Sequence, residues 1–218
     1  RSLRKAQPDP MRAVTPVFDV VRWRHGIWGF VVIGLGQLIL SQQADLIVIG
    51  TMVTVSDSAL YGAASQFAVL VIFEQTSVSF VMAPMIADLH ARGEKGRLQL
   101  LLRSVFVANA AVTLPVLAGL VVLGPWLIRA YGTAYVTAYP VLVILCFASA
   151  DVGLVGATAG FVLTMTGNQR LAAWIIGGSA ATNLVLTVVL TRRYGIMGTA
   201  TATLLATMLR CALLVVFV

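Results

Sequence analysis

Long apolar runs separated by short polar joints make up most of this sequence. A helix needs about 20 apolar residues to cross the hydrocarbon core of a bilayer, and six segments reach that length. We expect helices over residues 27–53, 61–87, 98–123, 137–165 and 171–190, and from residue 196 to the end of the chain. The predicted fold is an all-α membrane protein with a bundle of six transmembrane helices over residues 27–218. Residues 1–26 are polar and basic and are interpreted as a cytoplasmic linker or interfacial segment.

The joints contain residues that end helices or form turns. Gly124 and Pro125 predict the end of the third helix, followed by a short amphipathic stretch at residues 126–131. Gly167 to Gln169 and Arg192 to Gly195 predict the turns on either side of the fifth helix.

Composition excludes a soluble domain of any size. Hydrophobic residues make up 59% of the chain and charged residues 11%, whereas soluble domains have about 45–50% and about 25%. The formal net charge is +7, but the basic residues cluster in a few joints, which favours a membrane orientation signal over nucleic-acid binding. We expect no nucleic-acid partner.

The Lys and Arg residues predict the orientation. Eleven of the 15 lie before the first helix, around the joint between the second and third helices, or between the fourth and fifth. Cytoplasmic loops carry an excess of such residues, so we expect both ends of this segment in the cytoplasm. Aromatic girdles are expected at the interfaces: Trp23, Trp28 and Trp174 inside, and Tyr61, Trp126, Tyr131, Tyr135, Tyr139 and Tyr194 outside.

Four ionisable residues interrupt the predicted spans: Asp45, Glu74, Asp151 and Arg210. Such residues are costly in a membrane and mark functional sites by default. At 1.5 Å per residue, the last three lie about 20 Å from the outer ends of their helices, and Asp45 lies only about 12 Å from its own. They either line a cavity for a charged substrate or include an acid paired with Arg210 that locks helices together. Glu74 or Asp151 is a candidate for proton or ion coupling.

Uncharged polar residues recur at helical spacing. Positions three or four apart share one helix face, which gives several predicted helices a polar stripe. Hydroxyls and amides suit a substrate rich in hydroxyl groups, although hydrogen bonds between helices are the alternative. The candidates that join the four ionisable residues in a substrate or ion-coupling site are Gln37, Asn109, Asn183, Thr203 and Thr207.

Several kinds of chemistry have no sequence support. Both histidines stand alone in predicted cytoplasmic segments, and no ligand cluster, phosphate-binding loop or nucleophile motif is present. We therefore expect no catalytic residue, no metal and no cofactor, and we do not expect an enzyme.

The order of short motifs resembles a known family. Ala44-Asp45-Leu46-Ile47 is followed by Tyr61-Gly62-Ala63-Ala64 and Ala83-Pro84-Met85. Later motifs are Leu114-Pro115, Gly124-Pro125, Tyr131-Gly132, Thr166-Gly167 and Tyr194-Gly195-Ile196. From about residue 26 onward the chain looks like the C-terminal half of a bacterial polysaccharide flippase of the O-antigen type. These flippases belong to the multidrug/oligosaccharidyl-lipid/polysaccharide transporter superfamily.

The resemblance implies an architecture and a cargo. Members have two six-helix bundles around a central cavity and flip lipid-linked oligosaccharide by alternating access, for lipopolysaccharide or exopolysaccharide synthesis. It implies a multi-pass protein of the bacterial inner membrane, with membrane lipids and the N-terminal half of the same protein as partners. The chain begins with Arg1 and ends in an apolar run, so we expect it to be part of a longer protein. Two alternatives stay open, a drug exporter of the same superfamily and a membrane scaffold without transport.

Overall fold

A computed structural model describes residues 20–40 and 42–217, and every element in these two ranges is helical. Two 3₁₀ turns, Val69–Ile72 and Thr133–Ala138, and one π-helical turn, Val152–Gly156, join the α-helices. The α-helices are α1 (Val20–Ile39), α2 (Gln42–Met52), α3 (Val55–Ala68), α4 (Phe73–Ala91), α5 (Lys95–Arg129), α6 (Tyr139–Asp151), α7 (Ala157–Met165) and α8 (Gln169–Phe217).

Within the described ranges, four helical segments are long and apolar enough to cross a membrane: Val55–Ile72, Lys95–Arg129, Thr133–Met165 and Gln169–Phe217. The bent pair Phe30–Ile39 and Ala44–Met52 makes a fifth if it is one span. The prediction of an all-α membrane protein is confirmed, whereas the count of six spans stays a prediction. Residues 1–19 lie outside the described ranges, so the proposed boundary at residue 26 also stays a prediction.

The first predicted span is not one continuous helix. α1 ends at Ile39, and the axes before and after the break differ by 46°. Leu40 is buried against Ile176 and Ala180, which fixes the chain at the break. The break leaves carbonyl groups of α1 without helical partners, and the Asn183 amide donates to the Ile39 carbonyl at 3.5 Å.

The predicted end of the third helix at Gly124 and Pro125 is wrong. α5 continues through both residues to Arg129. Proline removes the hydrogen bond to the carbonyl four residues earlier, which is that of Val121, and the Tyr139 hydroxyl donates to this carbonyl at 2.9 Å. A Cβ at position 124 would lie 3.0 Å from the Tyr139 ring, so Gly124 gives that ring the room to approach.

α8 consists of two helical arms that fold back on each other. Gly195 has φ 59° and ψ −141°, which is not helical, and it separates residues 169–194 from residues 196–217. Thr191 and Thr199 hydroxyls lie 2.7 Å apart, whereas eight residues of straight helix would span about 12 Å. The turn predicted at Arg192–Gly195 is therefore confirmed, and the turn predicted at Gly167 is confirmed by its φ of 87° between α7 and α8.

The core is built from aliphatic and small side chains facing inward. One buried cluster joins α2, α3, α5, α6 and the second arm of α8, and includes Ile49, Tyr61, Leu142, Leu145 and Ala200. Large hydrophobic side chains such as Ile47 and Val122 are exposed on the outside, as expected for a surface solvated by lipid. This arrangement leaves the buried polar residues inside the helix bundle.

Candidate functional site

Asp45 lies in the first turn of α2 and is 2% exposed. The break after α1 places it next to α3 and the second arm of α8. Tyr61 on α3 donates its hydroxyl to Asp45 Oδ2 at 2.8 Å, and Thr203 donates to the same atom at 2.7 Å. A buried carboxylate is tolerated when hydrogen bonds replace its hydration, and these two bonds supply part of that replacement.

Asn183 connects this cluster to the first arm of α8. Its side chain is buried beside Asp45 and donates to the Ile39 carbonyl at the helix break. The Thr187 hydroxyl, one turn later, lies 3.5 Å from Asn183 Oδ1. Asp45 is therefore surrounded by side chains from α3 and from both arms of α8, at a point where the backbone is interrupted.

Arg210, in the second arm of α8, is the other charged residue that is buried within the described ranges. It is 4% exposed, and its Nη1 donates to Gln37 Oε1 at 3.1 Å. Its Nε is buried and has no hydrogen-bond partner among the described residues. No acidic side chain that the structure describes forms an ion pair with it, whereas a pairing of Glu74 with Arg210 falls outside the described residues and stays a prediction.

Two cavities meet at Arg210. The first has a volume of about 220 Å³ and a lining that includes Gln37, Ser149, Thr203 and Thr207. The second, of about 260 Å³, is more apolar and is lined by residues such as Phe30, Ile33 and Phe161. Gln37, Val152 and Arg210 line both. The guanidinium group therefore stands between a hydroxyl-lined space and an apolar one.

Asp151 ends α6 directly before the π-helical turn. Its Oδ2 is buried without a hydrogen-bond partner among the described residues, and its carbonyl lies 3.7 Å from the Cys211 thiol. Asn109 on α5 donates to the Gly153 carbonyl in the turn at 3.5 Å, and its Oδ1 has no partner there either. Single π turns inside α-helices are often found at functional sites.

Glycine at position 156 permits the close packing of this turn. A Cβ there would lie 2.7 Å from Cys211 Sγ and 3.3 Å from Arg210 Nη2. The π turn and the second arm of α8 are thus in direct contact through residues 210 and 211.

The predicted site residues whose side chains are described fall into three groups. Asp45, Asn183 and Thr203 form one group, and Gln37, Thr207 and Arg210 line the first cavity, which Thr203 also reaches. Asp151 and Asn109 lie at the π turn behind Arg210. Glu74 belongs to α4, but its side chain lies outside the described residues. The functional roles of all of these residues stay predictions.

Sequence reasoning misplaced Tyr61. It was predicted for the outer aromatic girdle, but it is fully buried and binds Asp45. Tyr139, also predicted there, uses its hydroxyl to bind the Val121 carbonyl. The available signal was the run of small residues after Tyr61, Gly62 to Ala64, which marks a helix face that packs closely.

Comparison with known proteins finds a match to a protein family. The sequence profile of a family described as polysaccharide biosynthesis protein matches residues 24–140, which is more than half of the chain. No curated protein and no solved structure matches. The match covers Asp45, Gln37 and Asn109, whereas Asp151 and the two arms of α8 lie beyond it.

Proposed function

Because the chain belongs to the family of polysaccharide biosynthesis proteins, we propose that it is part of a transporter that flips lipid-linked oligosaccharide. The proposed direction is from the inner to the outer leaflet of a bacterial inner membrane, toward lipopolysaccharide or exopolysaccharide synthesis. The all-helical membrane fold and the buried polar residues support this proposal. No covalent bond is made or broken in this activity, so it is transport and not an enzymatic reaction.

The observation that carries the proposal is the position of Arg210 between two cavities. Its Nε has a hydrogen available for a partner, and charge-assisted bonds from guanidinium to phosphate or carboxylate are strong. The hydroxyls of Ser149, Thr203 and Thr207 around the first cavity suit hydrogen bonds with sugar hydroxyls. We assign Arg210 and Gln37 to an anionic group of the oligosaccharide or its phosphate linkage.

The cavities are small compared with a whole oligosaccharide. In alternating access, the cargo space opens between two bundles, and we propose that the remainder of the protein provides the second bundle. The side of the chain lined by Gln37 and Arg210 would then face that bundle.

We further propose that Asp45 couples transport to an ion or proton gradient. Its carboxylate accepts from Tyr61 and Thr203 and thereby joins α2, α3 and the second arm of α8. Proton or cation binding would change the charge at this junction and hence the relative stability of two packings. This geometry favours Asp45 over Asp151 for coupling, because Asp151 lacks such a connection among the described residues.

The test of cargo uses the complete gene in its native cell. Deletion should cause lipid-linked glycan to accumulate on the cytoplasmic face of the inner membrane, and the full-length gene should reverse this. A gene with Arg210→Gln should fail, whereas Arg103→Gln, which changes an exposed arginine of α5, should restore export. An unchanged glycan distribution after deletion would contradict the flippase proposal, and dye efflux would then separate a drug exporter from a scaffold.

The coupling test uses Asp45→Asn in purified complete protein reconstituted in vesicles. The amide oxygen still accepts from Tyr61 and Thr203, but the charge is gone. We expect transport to lose its dependence on an imposed proton or sodium gradient. Retention of the full gradient dependence in Asp45→Asn, at wild-type protein levels, would assign coupling to another residue.

A further inference from the structure

A second concave surface lies between α1 and the first arm of α8, and we call it the α1–α8 groove. Its volume is about 580 Å³. The lining residues are Trp28, Val32, Ala173, Trp174, Gly177, Gly178 and Ala181, with Arg170 at one end. None of these residues lines either cavity at Arg210. The groove is therefore separate from the site already described.

α1 contributes different residues to the two surfaces. Ile33 and Gln37 line the second cavity, whereas Trp28 and Val32 line the groove. Ile176 of α8 packs against Ile33 on the cavity side, next to Gly177 on the groove side. α1 and the first arm of α8 thus lie between the Arg210 cavities and the outer surface of the protein, which faces lipid.

Small residues on α8 create the groove. A Cβ on Gly177 would be in ordinary contact with Val32 at 3.5 Å, and one on Gly178 would meet nothing within 4 Å. Trp28 and Trp174 are 64% and 81% exposed, so their rings project beyond the shallow surface formed by the two glycines. A flexible hydrocarbon chain can fill such a depression and gain van der Waals contact, which is the main attraction available within lipid.

The length of the groove matches one leaflet. Arg170 and Ala181 are 11 residues apart on α8, which corresponds to about 16 Å of helix. This is about half of a hydrocarbon core of roughly 30 Å. Tryptophan is enriched at headgroup level, and both tryptophans lie in the groove with Arg170.

Arg170 supplies charge complementarity. It is exposed at the start of α8 and has no ion pair within the described ranges. Arg170 lies in the joint between the predicted fourth and fifth helices. This is one of the basic joints, which are expected on the cytoplasmic side of the membrane, next to the anionic lipids of that leaflet. A phosphate at this position would have a cation beside it and an apolar channel below it.

We propose that the α1–α8 groove binds an anionic phospholipid of the cytoplasmic leaflet, with its phosphate at Arg170 and one acyl chain along Gly177, Gly178 and Ala181. The bound lipid holds α1 against the first arm of α8 from the outside. Because the groove is separate from the Arg210 cavities, this lipid does not occupy the proposed cargo site.

The test is native mass spectrometry of the complete purified protein with phosphatidylglycerol and with phosphatidylcholine of the same chains. Wild-type protein should retain phosphatidylglycerol preferentially. Arg170→Gln should reduce that preference about fivefold, as expected for one basic residue at an anionic membrane surface. Arg103→Gln is the matched control and should leave the preference unchanged. Gly178→Leu and Ala181→Leu fill the groove and should reduce retention of both lipids.

Three outcomes would overturn the proposal. The first is equal loss of preference in Arg170→Gln and Arg103→Gln, or no loss in either. The second is wild-type retention in both groove-filling variants, provided that their melting temperatures show that they are folded. The third is displacement of phosphatidylglycerol by an equimolar polyprenyl phosphate, which would assign the groove to the lipid carrier of the cargo.

Discussion

Asp45 and Arg210 are both nearly inaccessible, at 2% and 4% exposure, but their surroundings differ. Asp45 accepts two short hydrogen bonds from residues on two other helices. With the described residues Arg210 makes one, to Gln37, and neither its Nε nor Asp151 Oδ2 has a partner among them. A satisfied buried charge contributes to one fixed packing, whereas an unsatisfied one retains capacity for another partner.

This difference suggests a division of labour. The Asp45 cluster connects α2, α3 and α8 and should respond to mutation first in stability. The Arg210 region borders cavities and the π turn and should respond first in transport. Four substitutions test the distinction, from the largest expected effect to the smallest.

Asp45→Ala should lower the free energy of unfolding by about 2–4 kcal/mol, because it leaves the Tyr61 hydroxyl buried without its acceptor and removes the bond from Thr203, whose hydroxyl keeps only the Thr199 carbonyl. Thermal unfolding of the purified complete protein measures this loss. Asp88→Ala is the control, since the Asp88–Arg92 pair is exposed and such pairs contribute little. Equal stability of the two variants would contradict a structural role for Asp45.

Arg210→Met should reduce transport about ten- to a hundredfold, because a bond from a charged donor to the cargo is worth about 1.5–3 kcal/mol. Its melting temperature should stay near the wild-type value, since an apolar side chain of similar volume often replaces a buried charge without loss of stability. Flux in vesicles and thermal unfolding are measured on the same preparation. A strongly destabilised but active variant would reverse the assigned roles.

Gly156→Ala should destabilise the protein by about 1–3 kcal/mol through overpacking, because the new methyl group would lie 2.7 Å from Cys211 Sγ. Adding Cys211→Ala removes that sulfur and should recover most of the loss. Gly160→Ala, where the nearest side-chain atom is 4.0 Å away, serves as the matched control. Failure of the double variant to recover stability would show that the π turn does not pack as described.

Tyr61→Phe should cost about 0.6–1 kcal/mol, the usual value of one hydrogen bond between membrane helices. The ring stays in place, so only the bond to Asp45 is removed. Tyr131→Phe, on an exposed ring, should have no measurable effect. Combining Tyr61→Phe with Asp45→Ala should recover part of the Asp45→Ala loss, because it removes the hydroxyl that was left without an acceptor, and an additive loss would contradict the direct contact.

Much of the fold followed from local pattern. The all-helical membrane class came from the long apolar runs, and the turns at Gly167 and Gly195 came from residues that adopt positive φ. The break at Leu40 and the continuation of α5 through Pro125 were missed. In both places a distant side chain, from Asn183 or Tyr139, satisfies a backbone carbonyl, and no local pattern encodes such a partner.

Most residues of the candidate site were predicted from the sequence, but the contacts between them were not. Here too the contacts join residues that are distant along the chain. Asp45, Asn183, Thr203 and Arg210 were chosen because polar residues in apolar helices are costly, which is a property of each residue alone. Helix depth separated Asp45 from Asp151 and Arg210, but it did not predict that Thr203 binds Asp45 or that Gln37 binds Arg210. Tyr61 was assigned to an interface because it begins a predicted span, and no local pattern indicated its partner Asp45, which lies 16 residues away.

The sequence by itself determined that this protein is solvated by lipid, that its spans are helical, that the chain turns at Gly167 and Gly195, and which polar residues need burial. These depend on hydrophobicity and backbone preference, which act over a few residues. The tertiary structure alone decided which polar atoms meet, as when Thr203 reaches Asp45 across 158 residues of chain. It also left Arg210 Nε and Asp151 Oδ2 unpaired among the described residues, because helix packing fixes where side chains stand and satisfies only those within reach.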